Sequence, residues 1–126
     1  MNILLINYEY PPNGGGAANA SYELALAMLR LGCKVTVLTS RTPEDKGISL
    51  EQGIKVYRLA GLRRKHGSSN LVEMFAFICV ALMRVARIAD QNDINATICF
   101  FSLPSGPVGL FLKKLTKTPY LVSLRG

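Results

Sequence analysis

The sequence predicts an α/β domain built on a doubly wound parallel sheet. Three observations lead there. Short aliphatic runs alternate with longer stretches of helical periodicity almost throughout the chain. The aliphatic runs are apolar at nearly every position, as in strands buried on both faces. A glycine-rich stretch, Pro11-Pro12-Asn13-Gly14-Gly15-Gly16, joins the first run to the first helix. The 126 residues suffice for one domain with its own core.

Residues 2–7 (N-I-L-L-I-N) have the length of a buried parallel strand. Pro11 and Pro12 end it, because proline has no N–H to donate to a ladder. A helix is expected over 17–31, where Ala20, Leu24, Ala27, Met28 and Leu31 share one face. Gly32 is a natural stop. Residues 33–39 (C-K-V-T-V-L-T) read as the second strand. Residues 42–53, with Pro43, Gly47 and Gly53, read as a loop, and residues 54–59 (I-K-V-Y-R-L) as the third strand.

Arg63, Arg64, Lys65 and His66 then form a compact basic cluster, expected on an exposed loop as a membrane or anion surface. A long helix should cover 71–89, with Asn70 and Glu73 placed as cap and N3 partner. Its expected inner stripe is Leu71, Phe75, Ile78, Leu82 and Ala89. Residues 74–83 (M-F-A-F-I-C-V-A-L-M) are apolar almost all round, yet too short to span a bilayer. The preferred reading is a helix sandwiched in the core. The alternative is a helix touching membrane, with Arg84, Arg87 and other basic neighbours on anionic lipid.

Residues 96–101 read as the fourth strand and 102–106 as a turn, with Pro107 in the first turn of a third helix. Val108, Phe111, Leu112 and Leu115 give that helix an apolar face; Lys113, Lys114 and Lys117 suit its C-terminal end. Residues 120–124 form the fifth strand. A doubly wound sheet would normally add a helix after it, so the stop at Gly126 reads as a fragment or one half of a larger enzyme.

Right-handed crossovers bring the loops after Asn7, Thr39, Phe101 and Leu124 to one edge, where open α/β sheets bind ligands. Gly14, Gly15 and Gly16 lack a Cβ, so the backbone there can approach a ligand closely. The helix that follows offers free N–H groups to an anion. Glu9 is the acidic residue of this loop, placed to polarise a hydroxyl or to pair with a basic neighbour. Ser102 opens the turn after the fourth strand.

The formal charge of +7 admits nucleic acid, anionic lipid or phosphorylated small molecules as partners. No aromatic–basic interleaving or known motif favours nucleic acid. The three cysteines, Cys33, Cys79 and Cys99, lie in apolar runs and read as buried, reduced thiols. With no basic region before the first strand to suggest a signal sequence, a cytoplasmic setting is expected, at most peripheral at the inner membrane face. No cysteine pair has metal-ligand spacing, so no metal is expected. A P-loop is excluded because no Gly-Lys-Ser/Thr follows Gly16, and no Gly-x-Ser-x-Gly elbow exists. The dinucleotide fingerprint fails at Asn19, although Thr39, Ser40 and Arg41 would suit a 2′-phosphate. An NADP-binding oxidoreductase domain therefore remains one reading, and a non-catalytic basic interaction module another.

Three stretches bring a family to view: N-Y-E-Y-P-P-N-G-G-G-A-A-N-A (7–20), L-A-L-A-M-L-R-L-G-C-K-V-T-V-L-T (24–39) and L-P-S-G-P-V-G-L-F-L-K-K-L-T-K-T-P-Y-L-V-S-L-R-G (103–126). In combination they resemble the N-terminal domain of GT-B glycosyltransferases of the family-4 type. The resemblance covers essentially the whole chain but about the first third of a typical member. It implies a Rossmann-like domain that mainly binds the acceptor, with the nucleotide-sugar held mostly by a C-terminal domain absent from this chain. The nucleotide-sugar is a co-substrate, and no cofactor is expected. The acceptor would be a glycan, a lipid-linked sugar or a small molecule, as in polysaccharide biosynthesis. Gly14, Gly15 and Gly16 match the loop that meets the donor diphosphate. The implied chemistry is hexosyl transfer, usually with retention and without a required metal. Two positions depart from the pattern. Arg125 stands where many relatives have histidine, and arginine can still meet an anion. Cys33 also replaces a usual histidine. Without the donor-binding half, the isolated chain is expected to be inactive.

Overall fold

The computed structural model describes residues 1–7, 16–40, 47–59, 71–100, 106–116 and 118–123. In chain order the elements are β1 (Asn2–Ile6), α1 (Gly16–Arg30), β2 (Lys34–Ser40), β3 (Ile48–Glu51), β4 (Ile54–Leu59), α2 (Leu71–Gln91), β5 (Ala96–Phe100), α3 (Gly106–Thr116) and β6 (Tyr120–Ser123). The sheet order is β3-β4-β2-β1-β5-β6. Every pairing is parallel except that of β3 with β4.

Alternation along the strands divides the core in two. Ile3 and Leu5 of β1, Val35 and Val37 of β2, and Ile54 and Val56 of β4 pack with Ala25 and Met28 of α1. Leu4, Ile6, Leu38, Tyr57, Leu59 and Cys99 pack on the other face with Phe77, Ala81, Val85 and Ile88 of α2 and Val108 and Leu112 of α3. Each fully buried large aliphatic or aromatic side chain contributes about 1.5–3 kcal/mol through removal from water. The doubly wound arrangement is therefore as the sequence predicts.

The helix ends follow from local backbone chemistry. Gly32 has φ 90°, and the Cys33 N–H donates to the Met28 carbonyl across it at 3.0 Å, a left-handed cap. Asp93 does the same for α2 with φ 51°, and the Ile94 N–H donates to the Ala89 carbonyl at 3.0 Å. Asn2 then ties this cap to β1. Its N–H donates to Asn95 Oδ1 at 2.8 Å, and its Nδ2 donates to the Asp93 carbonyl at 3.1 Å.

Four expectations are corrected. Residues 48–51 are not loop but the edge strand β3, joined to β4 by a two-residue turn in which Gln52 and Gly53 both have positive φ (52° and 86°). Gln52 is not a usual residue for such a turn, which hid the hairpin. The strand is held by Arg58, which is 5% exposed and donates to the Glu51 carboxylate and, at 3.2 Å, to Ser49 Oγ. Second, α2 is rotated from the expected stripe: Ala89 is buried as expected, but its companions are Phe77, Ala81, Val85 and Ile88, whereas Phe75 is 67% exposed. Third, α2 is not sandwiched, because Cys79 and Met83 also face solvent. A helix apolar on nearly every side gives periodicity no contrast with which to choose a face. Fourth, Leu31 and Leu115, assigned to inner faces, are exposed, Leu31 just past the end of α1 and Leu115 in the last turn of α3.

Helix α3 sits unusually close to the sheet at Gly109. A Cβ there would collide with Cys99 Sγ and lie 3.0 Å from the Tyr120 ring. Gly109→Ala should therefore lower Tm by about 5–10 °C in a thermal melt, the cost of overpacking a close-packed seam. Cys99→Ala in the same chain should recover part of that loss, so a double-mutant cycle would show coupling between the two positions.

The edge hairpin gives an independent test. Glu51→Ala leaves the buried Arg58 without that carboxylate. Because Glu51 is 38% exposed, the expected loss is about 1–2 kcal/mol, below that of a fully buried pair. Chemical denaturation of the variant measures it.

Candidate functional site

The parallel register aligns the carboxyl ends of the strands on one edge. Ile6 of β1 lies beside both Leu38 of β2 and Cys99 of β5; Ser40 lies beside Leu59, and Phe100 beside Ser123. From β1 the chain crosses through α1 to β2 on one side, while β5 lies on the other. The gap between β1 and β5 is thus the point where the winding reverses, the usual crevice for a ligand in an open α/β sheet.

Gly16 is the first residue of α1, so it belongs to the turn whose N–H groups lack intrahelical partners. No acidic residue stands in that first turn to compete with an anion. Gly14, Gly15 and Glu9 lie outside the described residues, in the segment between β1 and α1. Ser102 lies outside them too, in the segment that leaves β5 directly beside the end of β1. Arg125 follows β6 and is likewise outside them. Arg63, Arg64 and Lys65 lie outside them between β4 and α2, so they leave the same edge two strands from β1. Topology therefore attaches the segments carrying Glu9, Gly14, Gly15, Ser102 and Arg125 to three neighbouring strand ends.

The described residues at this edge are polar in a place that is otherwise apolar. Asn7, Ser21, Thr39 and Ser40 are all buried. The Asn7 N–H donates to the Leu38 carbonyl at 3.1 Å, continuing the ladder one residue past β1. Strand alternation puts Asn7 and Thr39 on the α1 side, the side on which Ser21 packs. Thr39 is in register with Arg58, so a polar row crosses β1, β2 and β4 just below the edge. Sequence reading missed this row, because Asn7 and Thr39 look like polar strand termini and Arg58 like an exposed residue next to the end of its strand. The signal available was a polar residue at or next to the end of all three strands.

Other chemistry is poorly placed. A crevice of about 220 Å³, lined by Ala89, Asp90, Asp93, Ile94 and Thr118, opens at the opposite, amino edge of the sheet. Cys99 is fully buried, and burial pushes its thiol up to about 12 against a smaller opposing effect of a hydrogen bond with the Gly109 backbone. It is protonated at neutral pH and shielded from reagents, so it is no nucleophile. The expected burial of all three thiols holds for Cys99 alone; Cys33 is half-buried and Cys79 exposed.

Comparison with known proteins places this geometry. The glycosyl transferase 4-like domain matches residues 15–126. The chain belongs to that family. Among solved structures, sucrose-phosphate synthase from Thermosynechococcus elongatus superposes with a TM-score of 0.79 at 16% identity, over 99% of this chain and 33% of that one. MurG from Acinetobacter baumannii gives 0.61 at 21%, over 96% of this chain and 34% of that one. These two are GT-B glycosyltransferases, and this family member shares their Rossmann-like fold. The chain thus spans about a third of the length of either. A C-terminal domain of the PF1911 hydrogenase from Pyrococcus furiosus also matches, with a TM-score of 0.65 at 17% identity, over 98% of this chain and 90% of that one. At such identities the likeness concerns fold alone. A comparison with curated proteins finds no match.

The state of Cys99 has a measurable consequence. Its pKa in the folded chain, about 12, lies above the ordinary 9.0 that applies once the chain unfolds. The unfolded chain therefore loses this proton first, and the stability that the neutral thiol contributes is present below about pH 9 and lost as pH rises toward 12. Cys99→Ala should flatten that part of the stability–pH curve relative to the parent. In the native protein a disulfide reagent should label Cys79 quickly and Cys99 only after unfolding.

Proposed function

We propose that this domain is the N-terminal, acceptor-side half of a glycosyltransferase that moves a hexose from a nucleotide-sugar to a glycan, lipid-linked or small-molecule acceptor. The family match over residues 15–126 carries this reading. It favours transfer over the NADP-dependent and non-catalytic alternatives. A second Rossmann-like domain, beyond these residues, would hold most of the donor, with no metal or cofactor required. In this reading the protein acts in the cytoplasm, in polysaccharide biosynthesis.

The chemistry follows from what the edge can offer. An acceptor oxygen bonds to the anomeric carbon while the bond from that carbon to the diphosphate oxygen breaks. The electron pair leaves with the diphosphate, and the proton of the acceptor hydroxyl passes to the departing diphosphate oxygen. The growing charge on the diphosphate needs donors already aimed at it. The N–H groups at the start of α1 supply them, extended by Gly14 and Gly15 where a side chain would keep the phosphate away. Arg125, in the segment after β6, and Ser102, in the segment after β5, are the further proposed contacts of donor or acceptor. Glu9, in the segment after β1, would polarise the acceptor hydroxyl or pair with a basic neighbour.

The test is transfer by the full-length protein, read as nucleoside diphosphate released from uridine and guanosine diphosphate sugars in the presence of an acceptor panel. Gly15→Val should reduce the rate by about 100-fold or more, the scale seen when a preorganised donor to a developing oxyanion is lost. The melting temperature should stay near that of the parent. Full activity in Gly15→Val would overturn the assignment of the loop.

A further inference from the structure

The outer face of α2 has no role in the fold just described. On a helix, Phe75, Cys79 and Met83 recur every fourth residue and line one stripe about 12 Å long. Phe75 is 67% and Met83 76% exposed, and Cys79 is exposed with them. The opposite side of the same helix, from Phe77 to Ile88, already fills the core. Burial of α2 is therefore complete without this stripe, and an apolar row left in water needs another reason.

Its surroundings indicate one. Arg84 and Arg87 are exposed in the turns beyond Met83. Helix α3 packs beside α2 on the same side of the sheet and exposes Leu110, Lys113 and Lys114. Among the described residues this layer thus presents four cations. Of the carboxylates, Glu73 belongs to the first turn of α2, Asp90 to its last turn, and Asp93 stands just past its end. The chain as a whole carries +7. Three apolar side chains bordered by long basic ones make a poor protein interface: a stable one buries roughly 800 Å² per partner and keeps charge out of its centre. They suit a bilayer surface, where a shallow apolar row enters the acyl boundary and the basic side chains reach up to anionic headgroups. No helix among the described residues is long and apolar enough to cross a membrane, so α2 would lie along the surface.

We infer that the α2–α3 layer docks on an anionic membrane surface, with Phe75 and Met83 inserted and Arg84, Arg87, Lys113 and Lys114 over the headgroups. Residue Phe75 sits in the second turn of α2, near the carboxyl edge, so docking brings the candidate site close to the bilayer plane.

Vesicle flotation of the full-length protein tests this without any donor or acceptor, so its failure is separate from failure of the transferase reading. The probes are phosphatidylcholine vesicles with about 30 mol % phosphatidylglycerol and vesicles of phosphatidylcholine alone. The protein should float with the anionic vesicles and be released at about 0.5 M salt. Phe75→Ser with Met83→Ser, and separately Arg84→Gln with Arg87→Gln, should each weaken binding by about tenfold or more. Leu31→Ser with Leu50→Ser, which removes equally exposed leucines elsewhere, should leave it unchanged. All six positions are exposed, and unchanged circular dichroism and Tm would confirm folding. Equal flotation of all variants would overturn the inference, as would parent protein that fails to float. It would be overturned too if the Phe75/Met83 variant lost only a dimer seen in gel filtration, because the face would then join two copies of the chain.

Discussion

Strand β1 is the constraint on which the rest of the molecule depends. Leu4, Leu5 and Ile6 are wholly buried, so both faces of this strand are covered and neither edge meets water. Every backbone N–H and C=O in such a strand must find a partner in a neighbouring strand. Pairing with β2 on one side and β5 on the other satisfies them. Parallel neighbours cannot be reached by a tight turn, so the chain passes from β1 to β2 through α1 and enters β5 from α2. One crossover covers the face holding Ile3 and Leu5, and the other covers the face holding Leu4 and Ile6. The reversal of winding beside β1 is the result, and the crevice that comes with it is a consequence of satisfying one buried backbone.

That logic explains why so much of the architecture can be read from residues alone. The parallel strands show as uninterrupted aliphatic runs, because burial on both faces leaves no polar phase. The stop at Gly32 is legible because one residue type serves a left-handed cap at little steric cost. What stays hidden has physical causes too. The strand β3 reads I-S-L-E, half-exposed, and its anchor is the ion pair from Arg58 to Glu51, a contact that depends on register. The orientation of α2 is hidden because its sequence is apolar on both sides. The polar row of Asn7, Thr39 and Arg58 emerges only when three strand ends are set in register. For the candidate site, the glycines announce the loop, but its neighbours across the sheet come from topology.

The amino edge of the sheet and the carboxyl edge do different work. At the amino edge, side chains lock elements together: Asn2 clasps the cap of α2, and Asn92 donates to both the Tyr57 hydroxyl at 3.1 Å and the Ile88 carbonyl at 2.8 Å. Such contacts hold the strands in register from below. The carboxyl edge is the one whose segments a doubly wound sheet commits to chemistry.

An apolar outer face on α2 makes sense within this division of labour. A helix in a doubly wound sheet needs one buried stripe, and additional exposed apolar residues only raise the risk of association. Here the additional stripe begins near the carboxyl edge and runs away from it, bordered by cations of two helices. A surface that holds the domain by this layer would fix the orientation of the edge as well, because α2 is packed rigidly on the strands through Phe77, Ala81, Val85 and Ile88. An acceptor confined to that surface would then meet the site by diffusion in two dimensions, with its orientation already restricted. The same helix would thus close the core on one side and set the approach of substrate on the other, which gives its two-sided apolar character a physical purpose.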